Sequence, residues 1–482
     1  MNKLFYGDNL YILREHIPDD SVDLIYLDPP FNSKADYNIL FKEQTGESSG
    51  AQITAFEDTW HWNEEAERTF QNIVDTSPAS VVEMMTAFKK FVGFNDMMAY
   101  LTMMCVRLVE LRRVLKETGT IYLHCDPTAS HYLKILMDAI FGKKNFRNEI
   151  VWCYRGAGYP KKDFGRRHDI IFRYCRSSDY IFNLDDVREE YAEATKERFK
   201  HYIGNIRNGK DFGTQSLNPL GKQPDDWWQI QPIAPSSGER LGYPTQKPEV
   251  LLEKIILASS NADDTVLDPF CGCGTTITAA QKLKRQWIGV DITHLATNLI
   301  KKRLKDVFDL EPKIDYLVIG EPEDLTGAEE LANQNRYQFQ WWALSLINAR
   351  PYGDKKKGKD TGIDGYIYFN EEMGKVAKGI VSVKSGNVSV KDIRDLGHVM
   401  DREQAELGIF ITLKEPTRDM GKEAAGKGLY RFTLLNKDYA RIQILTVDDL
   451  FNGKKPDIPS IYQISTYKKA EAIDPTDERL DF

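Results

Sequence analysis

Two short stretches of this chain carry residue types that can act together on one substrate. Asp28-Pro29-Pro30-Phe31 combines a carboxylate, two rigid prolines and an aromatic ring. Proline fixes the backbone and donates no N–H, so carbonyls here are left free to accept. An acceptor-rich corner beside an aromatic face suits a planar base with an exocyclic amino group. Read alone, Asp28 is equally a strand-end carboxylate capping a turn. The second stretch, Asp268-Pro269-Phe270-Cys271-Gly272-Cys273-Gly274-Thr275-Thr276, starts 240 residues later. Its glycines let backbone approach a ligand and present N–H groups at a helix start. Asp291 follows Gly274 by 17 residues and ends Gly289-Val290-Asp291, where an acid bonds a ribose hydroxyl in Rossmann-type nucleoside sites. The loop lacks a full Gly-x-Gly-x-x-Gly, which disfavours a dinucleotide, and no Walker A motif occurs. Cys271 and Cys273, one residue apart with no His nearby, do not have zinc-site spacing.

The elements that must position these residues alternate. Lys3-Leu4-Phe5-Tyr6 reads as a strand, Asn9–Leu13 as helix, and Leu24–Leu27 as a buried parallel strand delivering Asp28 to its carboxyl end. Residues 32–62 read as loop, with the aromatics Trp60 and Trp62 leaning to core rather than to substrate contact. A helical pattern covers 82–116, Gly119–His124 is a further strand and Tyr132–Phe141 a helix. After the irregular stretch 184–241, a helix opens at Glu249. Strand Thr265–Leu267, a helix from Thr276, strand Trp287–Val290 and a helix ending near Lys305 follow. This order predicts an α/β fold with a parallel sheet and crossover helices. Ligands bind such sheets at the strand carboxyl ends.

The chain has 482 residues, 41% hydrophobic and 28% charged, with net charge −8. That suits two to three globular domains and excludes a polycation. No apolar run reaches membrane-spanning length. The first residues lack a secretory layout. The six cysteines form no Cys-x-x-Cys pair, pointing to a reducing cytoplasm. One stretch opposes the overall charge. Lys143–Arg176 holds ten basic residues against three acids, with Phe146, Trp152, Tyr154, Tyr159, Phe164, Phe172 and Tyr174 interleaved. It reads equally as a phosphate-contacting surface and as a solvated face over a core strand.

Asp-Pro-Pro-Phe followed late in the chain by Asp-Pro-Phe-x-Gly-x-Gly-Thr resembles the β class of S-adenosylmethionine-dependent amino-group DNA methyltransferases, over residues 1–310. Gly7-Asp8-Asn9 resembles the family's cofactor-adenine contact. Tyr243-Pro244-Thr245-Gln246-Lys247-Pro248 resembles its fold over the methionine end. Arg167–Ile171 and Phe146–Trp152 resemble intervening motifs. The resemblance implies a Rossmann-like methyltransferase sheet with a target-recognition insertion at 184–241. It implies catalysis by Asp28, Pro29, Pro30 and Phe31, with Asp28 and the Pro29 carbonyl accepting the amino hydrogens and Phe31 stacking on the base. It implies cofactor binding by Asp8, Lys247, Asp268, Phe270, Gly272, Gly274, Thr275 and Asp291, with no metal in this domain. Asp8 remains open to a helix N-cap reading, and Lys247 to that of a surface lysine. An initial Asp favours adenine N6 over cytosine N4. The base must leave the stack, which costs a few kcal/mol.

Residues 311–332 read as linker and 333–482 as a smaller α/β domain, with apolar strands at 366–369, 379–383, 408–413, 430–435 and 442–447. Asp364 before one strand and Lys384 at the end of its neighbour resemble the PD-(D/E)xK nuclease core in its Mrr-like form. That resemblance implies a magnesium ion at Asp364 and a water-activating Lys384. The usual acid two residues before the lysine is Ser382, and the helix Gln338–Asn348 offers glutamines for acids. Fewer carboxylates weaken metal binding, so a DNA-binding or assembly module is favoured over a nuclease.

The expected activity is therefore adenine-N6 methylation of double-stranded DNA in a restriction-modification or defence system of the prokaryotic cytoplasm, at the nucleoid and off the membrane. Cytosine-N4 methylation, combined methylation and magnesium-dependent cleavage, and a catalytically silent DNA-binding subunit are the alternatives. The resemblance leaves room for a homodimer and for a restriction or translocase subunit.

Overall fold

The computed structural model describes residues 1–30, 36–42, 48–57, 61–156, 158, 160–200, 204–208, 210–214, 216–243, 245–352, 362–372 and 375–459. Phe31, Trp60 and Pro244 lie outside these residues.

A nine-stranded sheet organises residues 1–319. Its strands are β1 (Lys3–Tyr6), β2 (Val22–Leu27), β3 (Leu115–Cys125), β4 (Phe146–Cys153), β5 (His168–Cys175), β6 (Trp227–Gln229), β7 (Thr265–Asp268), β8 (Gln286–Asp291) and β9 (Leu317–Ile319). Their spatial order is β6-β4-β5-β3-β2-β7-β8-β1-β9. Only β5 runs against the others. All six residues of β2 are buried, as expected of a strand covered on both faces. Leu24 and Ile25 pair with Val266 and Leu267, and Leu27 pairs with Leu123 on the other flank. The two chemistry-bearing stretches therefore leave neighbouring strands at the same edge.

The helices that matter for the site are α1 (Asn9–His16), α2 (Asp96–Val114), α3 (Glu249–Ser259), α4 (Thr275–Lys282) and α5 (His294–Phe308). The helical pattern over 82–116 forms two helices, not one. Ala79–Val92 stops at Gly93, whose φ of 80° is left-handed, and Asn95 caps α2 by accepting from Met98 N. Trp62 is partly buried against the main core, beside Phe70 and Phe94.

Two irregular stretches contribute to the sheet. Within 184–241, Trp227–Gln229 pairs in parallel with Val151–Cys153 and closes one side, and a hairpin joins Gly204–Arg207 to Lys210–Thr214. Within 311–332, Leu317–Ile319 pairs with Lys3–Phe5 and closes the other side, and Leu325–Gln334 is helical. Both edge segments are only three residues long, too short for periodicity to distinguish them from loop.

The remainder forms a five-stranded sheet in chain order: β10 (Arg350–Pro351), β11 (Gly365–Glu372), β12 (Lys375–Lys384), β13 (Leu407–Thr412) and β14 (Ile442–Thr446). Helices α6 (Arg336–Ser345) and α7 (Val390–Glu403) pack on it. Its core is separate, built around Phe339, Trp342, Phe369 and Ile409. No helix among the described residues is long and apolar enough to cross a membrane.

Candidate active site

The turn after β7 is held by two buried acids. Asp268 Oδ1 accepts from Phe270 N (3.0 Å), and its Oδ2 accepts from the Thr276 hydroxyl (2.6 Å). Asp291 Oδ2 accepts from Gly272 N (3.0 Å), and its Oδ1 accepts from Thr293 N and Oγ1, each at 2.9 Å. Burial pushes the Asp268 carboxyl up to about 7 and the Asp291 carboxyl up to about 6. Gly272 (φ 48°) and Gly274 (φ 77°) both occupy the left-handed region. A methyl on Gly272 would meet Tyr243 Cε1 at 3.2 Å, and one on Gly274 would strike Ile300 Cγ1 at 2.7 Å. Tyr243 thus lies against the turn. Thr275 starts α4, and Arg303 donates to its hydroxyl (3.4 Å). Cys271 and Cys273 are buried and burial pushes both thiols up, which disfavours the thiolates a metal needs.

The turn after β1 faces the same space. Asp8 caps α1, accepting from Leu10 N (2.9 Å) and Tyr11 N (3.1 Å), and its other oxygen pairs with Arg107 at 2.8 Å. Arg107 also donates to Asn9 Oδ1 (2.6 Å), and Asn9 Nδ2 donates to the Pro269 carbonyl (2.8 Å). The N-cap and cofactor-contact readings of Asp8 are compatible, because the capping carboxylate still lines the cavity.

Asp28 stands at the end of β2. Lys247, 8% exposed, is ion-paired with Asp28 Oδ2. It is therefore no surface lysine, and it sits on the acid of the tetrapeptide rather than apart from it. Asp28 Oδ1 is buried and accepts no hydrogen bond from the described residues. A buried carboxylate oxygen without a donor is costly unless something arrives to fill it. Beneath it lie Tyr26, whose hydroxyl is 2.9 Å from His124 Nδ1, and Asp169, 3.4 Å from His124 Nε2. Pro29 is buried and Pro30 lines the cavity.

Asp8, Asp28, Lys247, Asp268, Phe270, Gly272, Thr275 and Asp291 all border one cavity of about 290 Å³. The residue-28 corner and the residue-272 turn thus open onto a single space. Arg107, Tyr26 and Thr293, which no motif marked as site residues, also hold or line that space, together with Asn9 and Thr276 of the two motifs. Arg107 is separated from Asp8 by 99 residues, and no local pattern marks such a pair. His124 had a readable signal: like Asp28, it lies at the carboxyl end of a strand, beside the strand that carries Asp28.

A cation in this cavity would meet Asp8, Asp268 and Asp291. A ligand lying along the turn would have close backbone approach at Gly272. Both features fit a positively charged nucleoside of the S-adenosylmethionine type.

In the appended domain, Asp364 is fully engaged. Gln340 Nε2 donates to its Oδ1, while Val383 N (2.7 Å) and the Ser382 hydroxyl (3.5 Å) donate to its Oδ2. No group of three or more His, Cys, Asp or Glu side chains able to hold a metal occurs among the described residues. Lys384 ends β12, where its backbone carbonyl accepts from Leu413 N (3.0 Å).

Residues 22–302 match the family model of N6/N4 DNA methylases. Residues 338–452 match the model described as NACHT-associated inactive restriction endonuclease 1. The chain is 27% identical over 344 residues to the Type II methyltransferase M.BglII of Bacillus subtilis, covering 70% of this chain and 74% of that one. It is 27% identical over 293 residues to the DNA adenine methyltransferase YhdJ of Escherichia coli K12, covering 60% and 78%. The solved structure of the cytosine-N4-specific PvuII DNA methyltransferase aligns over 62% of this chain and 85% of its own, with 15% identity and a TM-score of 0.38. The fold is that of the S-adenosylmethionine-dependent methyltransferases. This chain belongs to the N6/N4 DNA methylase family.

Proposed function

We propose that this chain transfers a methyl group from S-adenosylmethionine to N6 of an adenine extruded from duplex DNA, at a specific sequence, as the modification activity of a restriction-modification system. The observation that carries this reading is that Asp28 Oδ1 is buried without a hydrogen bond from the described residues and belongs to a residue bordering the same cavity as the Gly272 turn. The adenine amino nitrogen is a poor nucleophile because its lone pair is delocalised into the ring. Asp28 Oδ1 and the Pro29 carbonyl accept its two hydrogens, favour a pyramidal nitrogen and aim the lone pair into the cavity. Pro30 stiffens this corner, and Phe31 stacks on the base. Bound S-adenosylmethionine supplies an activated methyl, so alignment does most of the remaining work. Asp8, Phe270, Gly272, Thr275 and Asp291 hold the nucleoside part, while Gly274, which does not border the cavity, lets the turn pack against Ile300. Asp268 faces the cationic part, and Lys247 bridges the methionine end and Asp28. The initial Asp of the tetrapeptide and the similarity to an adenine methyltransferase support adenine.

Residues 1–310 form the methyltransferase domain in this reading, and 184–241 provide target recognition. The loop joining β4 to β5 borders the edge where β2 ends. It exposes Arg155, Lys161, Lys162 and Arg166 as a phosphate-contacting rim. Residues 333–482 serve DNA binding or assembly in the cytoplasm rather than cleavage, a reading supported by the hydrogen bonds that tie Asp364 to Gln340 and Val383 and by Ser382 standing where an acid is usual.

Modified-base sequencing and nucleoside mass spectrometry of DNA from cells expressing the protein test this. N6-methyladenine in one sequence context, absent with Asp28→Ala, is expected. N4-methylcytosine instead, or methylation that survives Asp28→Ala, overturns it.

A further inference from the structure

Methyl transfer to an amino nitrogen leaves a proton to be removed. N6 gains a carbon–nitrogen bond as the carbon–sulfur bond breaks, and the bonding pair stays on sulfur. The nitrogen is then cationic and must lose one hydrogen. Asp28 Oδ1 is placed to take it; this oxygen is buried, accepts no hydrogen bond from the described residues, and has the His124 ring beside it.

We propose that His124 is a positioning residue that receives this proton from Asp28 and returns Asp28 to its charged, accepting form. His124 has no solvent exposure and ends on the strand next to Asp28. Its Nδ1 lies 4.0 Å from Asp28 Oδ1, the nearest imidazole nitrogen to the unpartnered atom. Its Nε2 lies 3.4 Å from Asp169 Oδ2. A carboxylate on the far nitrogen fixes the ring's orientation and stabilises the imidazolium that forms. Burial works to raise the Asp169 carboxyl, but the hydrogen bonds from His124 and Tyr154 and the charge of Lys247 work the other way, and the group is held below its ordinary range.

The groups facing His124 come from every neighbouring strand. From β2 the Tyr26 hydroxyl lies 2.9 Å from Nδ1. A hydroxyl both donates and accepts, so it turns its hydrogen away when Nδ1 becomes protonated. From β4 the Trp152 ring meets the imidazole edge-on at 5.4 Å between centroids, packing against it without adding charge. From β5 comes Asp169, which also accepts from the Tyr154 hydroxyl (3.5 Å). Asp169 is half-buried and keeps the Nε2 hydrogen throughout. The proton passes from N6 to Asp28 and then to His124 Nδ1, and when product leaves Nδ1 gives it up to water entering the vacated cavity, so each group returns to its starting state.

This inference rests on Asp28 being the acceptor of the amino hydrogens, so Asp28→Ala is measured beside the new variants. The full chain is used, with a duplex carrying the methylated sequence found by modified-base sequencing, and a second duplex with 2-aminopurine at the target position. His124→Asn keeps a polar side chain but cannot take a proton. It is expected to slow single-turnover methylation by about 10²-fold, in line with lost general acid–base assistance. S-adenosylmethionine affinity and 2-aminopurine fluorescence should remain those of the parent. A solvent deuterium isotope effect larger than the parent's should appear, because proton removal now limits the rate. Asp169→Asn, at the wetter end, should shift rate and isotope effect in the same direction by less. A rate for His124→Asn equal to the parent's overturns the relay while leaving the function standing if Asp28→Ala is inactive. A slow rate matched by equal loss of fluorescence or cofactor affinity, in both variants, also overturns it. Activity retained by Asp28→Ala overturns the underlying reading instead.

Discussion

Asp268→Asn removes a charge that the fold holds at a cost, and the structure sets the size and sign of the effect. The carboxyl is 3% exposed, and burial raises it from an ordinary 3.8 to about 7. Hydrogen bonds from Thr276 and Phe270 N work the other way, and the charges of Asp28 and Asp291 add to the rise. A difference of about three pH units corresponds to about 4 kcal/mol. Because the folded value lies above the unfolded one, that stability is whole below about pH 4 and is lost as pH rises through about 7. Asp291, raised to about 6, adds in the same direction. Asparagine is isosteric, still accepts from Phe270 N, and presents its amide to the Thr276 oxygen. In the absence of cofactor, the variant should melt roughly 5–10 °C above the parent at pH 8, with the gap shrinking toward pH 5. A bound cation favours the ionised parent, so S-adenosylmethionine should bind the parent more tightly at pH 8 than at pH 6 and show a weaker trend with the variant. Melting curves and calorimetric titrations across pH 5–8 read both effects. A melting difference that does not change with pH refutes the reasoning.

The two glycines of the turn separate stability from binding. Gly274→Ala combines left-handed strain with a methyl 2.7 Å from Ile300, so it should destabilise the fold by about 2–4 kcal/mol in denaturant melts. Gly272→Ala meets the Tyr243 ring less closely, at 3.2 Å, so it should cost less stability, about 1 kcal/mol of left-handed strain, and weaken S-adenosylmethionine binding about fivefold where the methyl crowds the cavity. In the appended domain, Asp364→Ala should lower stability by about 1–3 kcal/mol because the Val383 N–H, Gln340 amide and Ser382 hydroxyl lose their acceptor. Supercoiled plasmid should stay intact with magnesium in both proteins, and magnesium-dependent nicking lost in Lys384→Ala would contradict this.

The parts of the site that sequence reveals are those whose chemistry is local. Asp28 follows an all-apolar strand, and Asp268 with its glycines sits at a strand-to-helix turn, so each announces its position. Their meeting could be anticipated because carboxyl ends of parallel strands share one edge. Lys247 is different. Nothing in Tyr243–Pro248 indicates that its ammonium pairs with an acid 219 residues away. Arg107 is hidden for the same reason, sitting on α2 among residues that read as an unbroken core helix. The edge strands at 227–229 and 317–319 escape detection because three residues cannot show a period. Asp364 is a further case: its spacing to Lys384 suggests catalysis, and only the structure shows that it also bonds β12 to α6 through Val383, Ser382 and Gln340.

Helix α5 ties the appended domain to the cofactor side of the molecule. It begins directly after Asp291-Ile292-Thr293, which lines the cavity. Its first residue, His294, is fully buried and stacks on Tyr6 at the end of β1, with ring centroids 3.7 Å apart. Gln338 of α6 accepts from His294 N at 3.3 Å. The Trp341 ring of the same helix packs on the cluster of Leu241, Tyr243, Cys273, Leu295, Ala296 and Leu299. Tyr243 is the side chain that meets Gly272, so α6 supports the segment lying against the turn. A displacement of α6 would therefore reach the cofactor turn through one layer of side chains. Close-packed side chains transmit such shifts because they leave little free volume to absorb them. The nuclease-like fold thus packs, through Trp341 and Tyr243, within one layer of side chains of the Gly272 turn.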